Sequence, residues 1–355
     1  MKWWKNFRKN PLAQLGALLL LIFYLSAIAA DLVAPYDPYK SQIDGSLLPP
    51  THIYWKTKEG QFIGPHVYPT TQGPVDINTG DRQLNVDWQK PSPIGFFVKG
   101  ESYKFLGIFP TDIHLFGASG EGKINLLGTD EQARDQFSRI VYGSRISLSI
   151  GIVGIIISFP LGMIIGGISG YFGGWLDSVI MRFVEVLMTI PSIYLLVALA
   201  AILPTNLSSS ERFLLIVIIT SFVRWAGLAR VIRGEVLSIK ERQFVQVTKA
   251  MGGSPFYIIV RHVLPQTATY IVISATLAIP GFIESESVLS LIGLGIQQPD
   301  PSWGNLLSVG TSASILVLQP WLVWPPAILL ILTVLAFNLL GDGLRDAFDP
   351  RSLQK

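Results

Sequence analysis

The sequence predicts an all-α polytopic membrane protein with six transmembrane helices and a small β-containing extracytoplasmic loop region between helices 1 and 2. Three observations carry that expectation. Of 355 residues, 50% are hydrophobic and only 14% charged, and the mean hydropathy is +0.46; a soluble domain carries about 25% charged residues. Six stretches approach the roughly 20 apolar residues that cross about 30 Å of hydrocarbon: about 11–30, 146–168, 178–203, 212–229, 266–291 and 315–340. Between the first two lies a long segment, 31–143, with ten prolines between residues 31 and 110, which oppose long helices there.

Composition also excludes classes. Cysteine is absent, so disulfides and cysteine-ligated metals are ruled out. The net charge of +3 is not gathered into a basic stripe with interleaved aromatics, so no nucleic-acid partner is expected. No metal site and no catalytic residue is assigned.

The first run follows Lys2, Lys5, Arg8 and Lys9 and contains Ala27-Ile28-Ala29, an imitation of a cleavage site. A signal-peptide core spans about 7–15 residues. This run is longer and reads as an uncleaved anchor, residues 11–30, after a cytoplasmic N-terminus, 1–10. Lys and Arg mark cytoplasmic loops. Arg230, Arg233, Lys240, Arg242, Lys249 and Arg261 fill the segment 230–262, and Arg345, Arg351 and Lys355 the tail, 341–355; connections 204–211 and 292–314 hold none. Six spans with both termini cytoplasmic satisfy this pattern. In the extracytoplasmic region 31–143, "HIYWKTKEGQFIG" and "YKFLGIFPTDIHLFG" carry aromatic and β-branched runs between turn residues, the signal of short hairpins. Such a region serves as a cap over the bundle, as a docking surface for an extracellular partner, or as both.

Two motifs mislead. "GASGEGKI" at 117–124 follows a phosphate-loop pattern but ends in Ile124 where Ser or Thr would hold Mg²⁺, so the chain is expected to have no ATPase site. "GISG" at 167–170 imitates an intramembrane protease, whose Ser169 would need a histidine within a span; His52, His66, His114 and His262 all lie outside the six runs. Among charges within spans, Arg182 and Glu185 stand one turn apart and can neutralise each other. Glu284 and Glu286 follow Pro280 near the outer end of the fifth span, where they either line a polar mouth of a pathway or sit at the interface. "GTDEQARDQFSRI" at 128–140 is expected to form a helix on the outer surface, capped by Thr129 or Asp130 with Glu131 in its first turn.

A bend stands out in "KAMGGSPFYIIVRHVLP", residues 249–265. Gly252-Gly253 reads as a helix end, because glycine enters the left-handed region cheaply; which of the two takes it is left open. Ser254-Pro255 reads as a new N-cap followed by proline at the first helical position. Phe244, Val247 and Met251 share one face before the bend, and Phe256, Ile259, Val260 and Val263 share one after it. The second helix, about 255–263, is too short to stand alone.

"FVQVTKAMGGSPFYIIVRHVLP" resembles the EAA loop of ABC-importer permeases, with Gly252 at the motif glycine and Leu264-Pro265 at its end. "GTDEQARDQFSRIVYGSRISLSIG", "GYFGGWLDSVIMRFVEV", "ESVLSLIGLGIQQPDPSWGNLL" and "FNLLGDGLRDAFDPR" resemble, in order, the C-type permease subunit of oligopeptide and dipeptide importers, within the peptide, nickel and opine family. The likeness covers about 125–355 and the first span. The chain departs from the pattern at Gln246-Val247-Thr248, where the family usually has Glu-Ala-Ala, and at Ala133, where it usually has glycine.

The resemblance implies a permease core, 144–340, that forms half of a translocation pathway with a homologous second permease. It implies two cytosolic ATPases that bind ATP and Mg²⁺, so this chain holds no cofactor itself, and an extracytoplasmic solute-binding protein that delivers substrate. Segment 238–263 would couple to the ATPases, with Gln246, Ala250, Gly252, Gly253, Ser254, Phe256 and Arg261 as the coupling residues. The expected location is the cell membrane, and peptides are the expected cargo.

Overall fold

The computed structural model describes residues 2–43, 45–76, 82–204 and 206–348. It is mostly helical. Among the described residues, five helical runs are long and apolar enough to cross a membrane: Pro11–Ile28, Gln136–Phe172, Ser209–Ile239, Pro255–Leu291 and Pro320–Phe348. The chain divides into two compact units. One comprises Met1–Leu20, Ser149–Leu289 and Thr333–Lys355, and the other Leu21–Leu148 and Ser290–Leu332.

In the first unit, α4 (Gln136–Phe172) supplies its C-terminal part and packs on α7 (Ser209–Ile239). Gly162, Gly166 and Gly170 recur every fourth residue on α4. A Cβ at Gly170 would lie 2.7 Å from the Arg233 carbonyl, and one at Gly166 would collide with the Ala229 carbonyl. Small residues at this spacing let two backbones touch, the means by which helices associate where lipid removes the hydrophobic drive. Phe159 of α4 joins Leu228, Ile232, Val236 and Ile239 of α7 in a buried cluster.

The third apolar run, 178–203, is not one straight span. It consists of α5 (Gly174–Thr189) and α6 (Ser192–Ala201), bent by 85° at the break. The residue before a proline avoids helical dihedrals, and Ile190 accordingly takes ψ 123° ahead of Pro191.

The fifth run begins earlier than 266. After α8 (Gln243–Ala250) and α9 (Pro255–Ile258), the chain continues through a π-helical turn, Ile259–Val263, and a 3₁₀ turn, Leu264–Thr267, into α10 (Ala268–Leu291). The expected short helix at 255–263 is therefore the start of a continuous helical rod. Pro265 should stop a helix. The chain passes it by widening, with Leu264 N–H bonding back to the Ile259 carbonyl, and then tightening, with Ala268 N–H bonding to the Pro265 carbonyl.

The sixth run is likewise shifted. A short α12 (Ala313–Leu318) precedes it, and α13 spans Trp324–Phe348 with Pro325 and Pro326 in its first turn, where missing N–H groups cost nothing. The expected tail from 341 is helical to Phe348; Asp349–Lys355, with Arg351 and Lys355, lie outside the described residues.

The second unit holds the C-terminal end of α2 (Pro11–Ile28, following α1, Lys2–Phe7), α3 (Ala30–Val33) and the strands. An antiparallel four-stranded sheet runs in the order β1 (Tyr54–Lys56), β2 (Phe62–Val67), β5 (Ser92–Phe105) and β6 (Phe109–Ala118); β3 (Thr70–Val75) and β4 (Arg82–Val86) form a separate ribbon. Tyr54 pairs with His66, Ile94 with Ala118, and Thr70 with Val86. After β6, the glycine-rich 117–124 stretch runs into turns with no helix behind it.

The expected helix over 128–140 is a correction. Thr129 bridges Asp135, and helix α4 starts only at Gln136. Asp130 explains why: its Oδ1 accepts from the N–H groups of Gln132 and Arg134, both at 2.9 Å, an arrangement that competes with helix. Asp135, instead of Thr129 or Asp130, caps the helix by accepting from Ser138 N–H at 2.7 Å. Ala133 sits at φ +59°, a conformation that accounts for glycine at the matching position of the resembling family. Arg134 and Arg139 both donate to the Gln298 side chain, at 2.9 and 2.7 Å, and Trp303 of α11 (Trp303–Leu307) donates to the Ile140 carbonyl at 3.0 Å. Burial pushes the Asp135 carboxyl up to about 7 against its two bonds from Ser138. Burial would also raise Asp31, but hydrogen bonds from Arg145 and Tyr142 hold it below the usual carboxylate range.

Candidate coupling site

Segment 240–263 hangs from the end of α7. Lys240, the C-cap of α7, donates to the Gly170 carbonyl at 2.9 Å. Arg233 pairs with Asp177 of α5, and the same carboxylate accepts from Ser169. Ser169 is fully buried there. The turn between α4 and α5, with Gly173 and Gly174 at φ +65° and +59°, is thus clamped by basic groups on α7.

The bend has defined chemistry. Gly252 takes the left-handed position at φ +84° and Gly253 does not. Gly252 N–H bonds to the Lys249 carbonyl and Gly253 N–H to the Thr248 carbonyl, each at 3.0 Å. This is the Schellman pattern, which satisfies the orphan carbonyls of a helix end. Ser254 then accepts from Tyr257 N–H at 3.3 Å, with Pro255 at the first helical position.

Burial divides the segment into an anchored side and a presented side. Val245 and Ile258 are 2% and 0% exposed, and with Val263 they join the core cluster of Phe159, Ile232 and Val236. Met251 and Phe256 are 82% and 77% exposed, and Phe244, Val247, Tyr257 and Val260 are exposed with them. The apolar face expected after the bend is therefore split: Ile259 and Val263 face the core, while Phe256 and Val260 do not. Gln246, Ala250, Gly252, Ser254 and Arg261 are exposed, and Gly253 is half-buried. Gln246 reaches back to the Lys240 carbonyl at 2.9 Å, bracing the turn ahead of α8.

Glu284 and Glu286 do not act together. Glu284 is exposed on α10, and Glu286 is fully buried. Arg182 and Glu185 form an exposed pair at 3.3 Å. A charged residue that the sequence reading passed over is Arg224, at the middle of α7. Its Nη2 donates to the Gly281 carbonyl and to Ser285, the latter at 3.0 Å. The rule that flags ionisable groups in apolar spans also flags Arg224, but its nearness to the basic segment from Arg230 masks it.

Long apolar helices and a bent segment anchored on one side, with Phe256 and Met251 exposed on the other, define a polytopic membrane protein. The chain belongs to the family of binding-protein-dependent transport system inner membrane components, which it matches over residues 158–354; residues 2–50 match the N-terminal TM domain of oligopeptide transport permease C. It is the permease subunit of an ABC importer. The dipeptide transport system permease protein DppC of Bacillus subtilis is 31% identical over 348 residues, covering 98% of this chain and 84% of that protein. The oligopeptide transport system permease protein OppC of Haemophilus influenzae is 42% identical over 227 residues, 64% of this chain and 70% of that one. A solved inward-facing form of the MetNI methionine ABC transporter is 20% identical, with a TM-score of 0.44, over 59% of this chain and 97% of that chain.

Proposed function

We propose that this permease imports peptides. It spans the cell membrane six times, with α5 and α6 together making one span and both termini in the cytoplasm. Relatives of both lengths of match carry dipeptide or oligopeptide transport in their names, which supports the cargo. The Lys and Arg distribution supports the orientation. The chain pairs with a homologous second permease to enclose the pathway. Two cytosolic ATPases bind ATP and Mg²⁺ below it, and an extracytoplasmic solute-binding protein docks against the β-containing region above. Its remaining neighbour is the lipid bilayer, and no nucleic acid is involved.

One observation carries the coupling role of 238–263: Val245 and Ile258 are fixed in the core while Phe256 and Met251, on the same segment, are bare. Burying a side chain of that size gives about 1.5–3 kcal/mol, so a groove on an ATPase that covers two of them holds the segment firmly. A ligand shifts a conformational equilibrium only by its differential affinity for the two states. A firmly held segment, continuous with α10, lets ATP-driven closure of the ATPases be felt in the bundle.

The test is co-purification in mild detergent. The second permease and the ATPases should come with the wild-type chain, and Phe256→Ala should lose the ATPases while keeping the second permease. ATPases retained undiminished by the alanine variant would remove the coupling role from this segment.

A further inference from the structure

A cleft of about 430 Å³ opens beside Arg224, walled by Ser158 and Phe159 of α4, the α5–α6 elbow, Gly227 and Leu228 of α7, and Tyr270, Ser274 and Phe282 of α10. It has the volume of a small-molecule pocket. Ser192, Tyr270 and Ser274 add hydroxyls to its walls, and four further features define its polarity.

The first is Arg224 itself. Its Nη2 is engaged by Gly281 and Ser285, and its guanidinium lies 5.2 Å above the Phe282 ring. Its Nε is buried with no hydrogen-bond partner among the described residues. The second is Ser158, 2% exposed, whose hydroxyl also has no partner. A buried polar group left unmet is unusual and requires an explanation. The third is the backbone break at Ile190-Pro191, which lines the cleft. Non-helical backbone within an apolar bundle persists where it faces a wet cavity. The fourth is the start of α6, which has no side-chain cap and presents the positive end of its dipole.

Arg224 and the start of α6 favour an anion, and the Ser158 hydroxyl can donate to one. Glu284, exposed on the same helix as Gly281, does not line the cleft. Gly281 shows that the seat is shaped for the guanidinium, because a Cβ there would sit 2.7 Å from the Arg224 Cζ. A guanidinium is a planar fork that matches a carboxylate, and the apolar remainder of the cleft suits one adjoining side chain.

We propose that this cleft is a subsite for the terminal carboxylate of the transported peptide, with Arg224 as its anchor and Ser158 as a second donor. The inference rests on the peptide-import reading above.

The test uses the assembled transporter, this chain with its second permease and ATPases, in phosphatidylcholine nanodiscs, so that no anionic lipid competes. The solute-binding protein is left out because it would impose its own selectivity. Binding of trialanine and of trialaninamide is read by calorimetry. The wild type should bind the acid about tenfold more tightly than the amide or better, a difference of about 1.4 kcal/mol. Arg224→Gln should abolish that preference, and Ser158→Ala should weaken the acid alone. Equal binding of acid and amide by the wild type, or a preference that survives Arg224→Gln, overturns the subsite and leaves the import reading standing. If the glutamine variant does not assemble, Arg224→Lys decides. Its point charge should cut the preference at least threefold, and an undiminished preference overturns the proposal. Wild-type proteoliposomes that take up no peptide, with binding protein supplied, would sink the import reading and the subsite with it.

Discussion

Replacing Gly252 with valine separates backbone strain from every other effect. A Cβ at this position meets no atom within 4 Å, so no clash contributes. The cost is the left-handed conformation, φ +84°. An ordinary L-residue pays about 1–2 kcal/mol there, and a β-branched one stands at the upper end. If valine escapes to negative φ, the two 3.0 Å bonds from Gly252 and Gly253 are lost, at about 1 kcal/mol each. Either route costs about 2 kcal/mol, which shifts a local equilibrium about 30-fold. Hydrogen exchange of peptides covering 243–258, in the assembled transporter, should speed up by that order. The ratio of substrate moved to ATP hydrolysed should fall with it. Asparagine tolerates the left-handed region, so Gly252→Asn should recover most of both. Valine exchange rates equal to wild type, or asparagine as damaging as valine, would refute the reasoning.

Other expectations follow from the same kind of bookkeeping. Ala133→Gly relieves φ +59° and should raise stability by roughly 0.5–1 kcal/mol after the entropy of glycine in the unfolded chain is deducted, seen as a higher melting temperature. Asp135 is held near 7 by burial, so the folded state keeps a proton that the unfolded chain releases near 4. Wild-type stability should therefore fall as pH rises from about 4 to about 7 and level off above, and Asp135→Asn should flatten that fall in a melting series across pH. Gly166→Val would push a side chain into the Ala229 carbonyl and Ile232. It should cost about 1–3 kcal/mol as overpacking, read as a lower melting temperature and a lower yield of assembled transporter.

Much of this fold was legible where the signal is local. Gly252, Ser254 and Pro255 announce a stop and a restart, because dihedral preference and capping act over three or four residues. Apolar runs announced membrane-length helices for the same reason. What misled were places where a competing hydrogen-bond arrangement overrides the preference of a single residue. Asp130 looks like a helix cap, but its carboxylate is consumed by Gln132 and Arg134 and is met by the Arg134 guanidinium at 2.8 Å, so the chain turns before it coils. Pro265 looks like a stop, yet a wide turn followed by a tight one carries the helix past it. Arg224 was legible in principle, but what makes it notable is the cleft, which depends on four elements that lie far apart in sequence. The recurrence of glycine at 162, 166 and 170 was visible too, though only the contact with α7 shows which helix it receives.

The run from Phe256 to Gly281 is one rod, about 38 Å long at 1.5 Å per residue. Its near end is the exposed apolar surface of the bend, and its far end is the carbonyl that seats Arg224. A twist applied at one end arrives at the other through covalent geometry and helix hydrogen bonds, with no relay of side chains required. The five-residue π turn at Ile259–Val263 interrupts the α-helical pitch along the way, and single π turns of this kind are frequent at functional sites. A load placed on the bend would therefore meet that turn before it reached the carbonyl that seats Arg224.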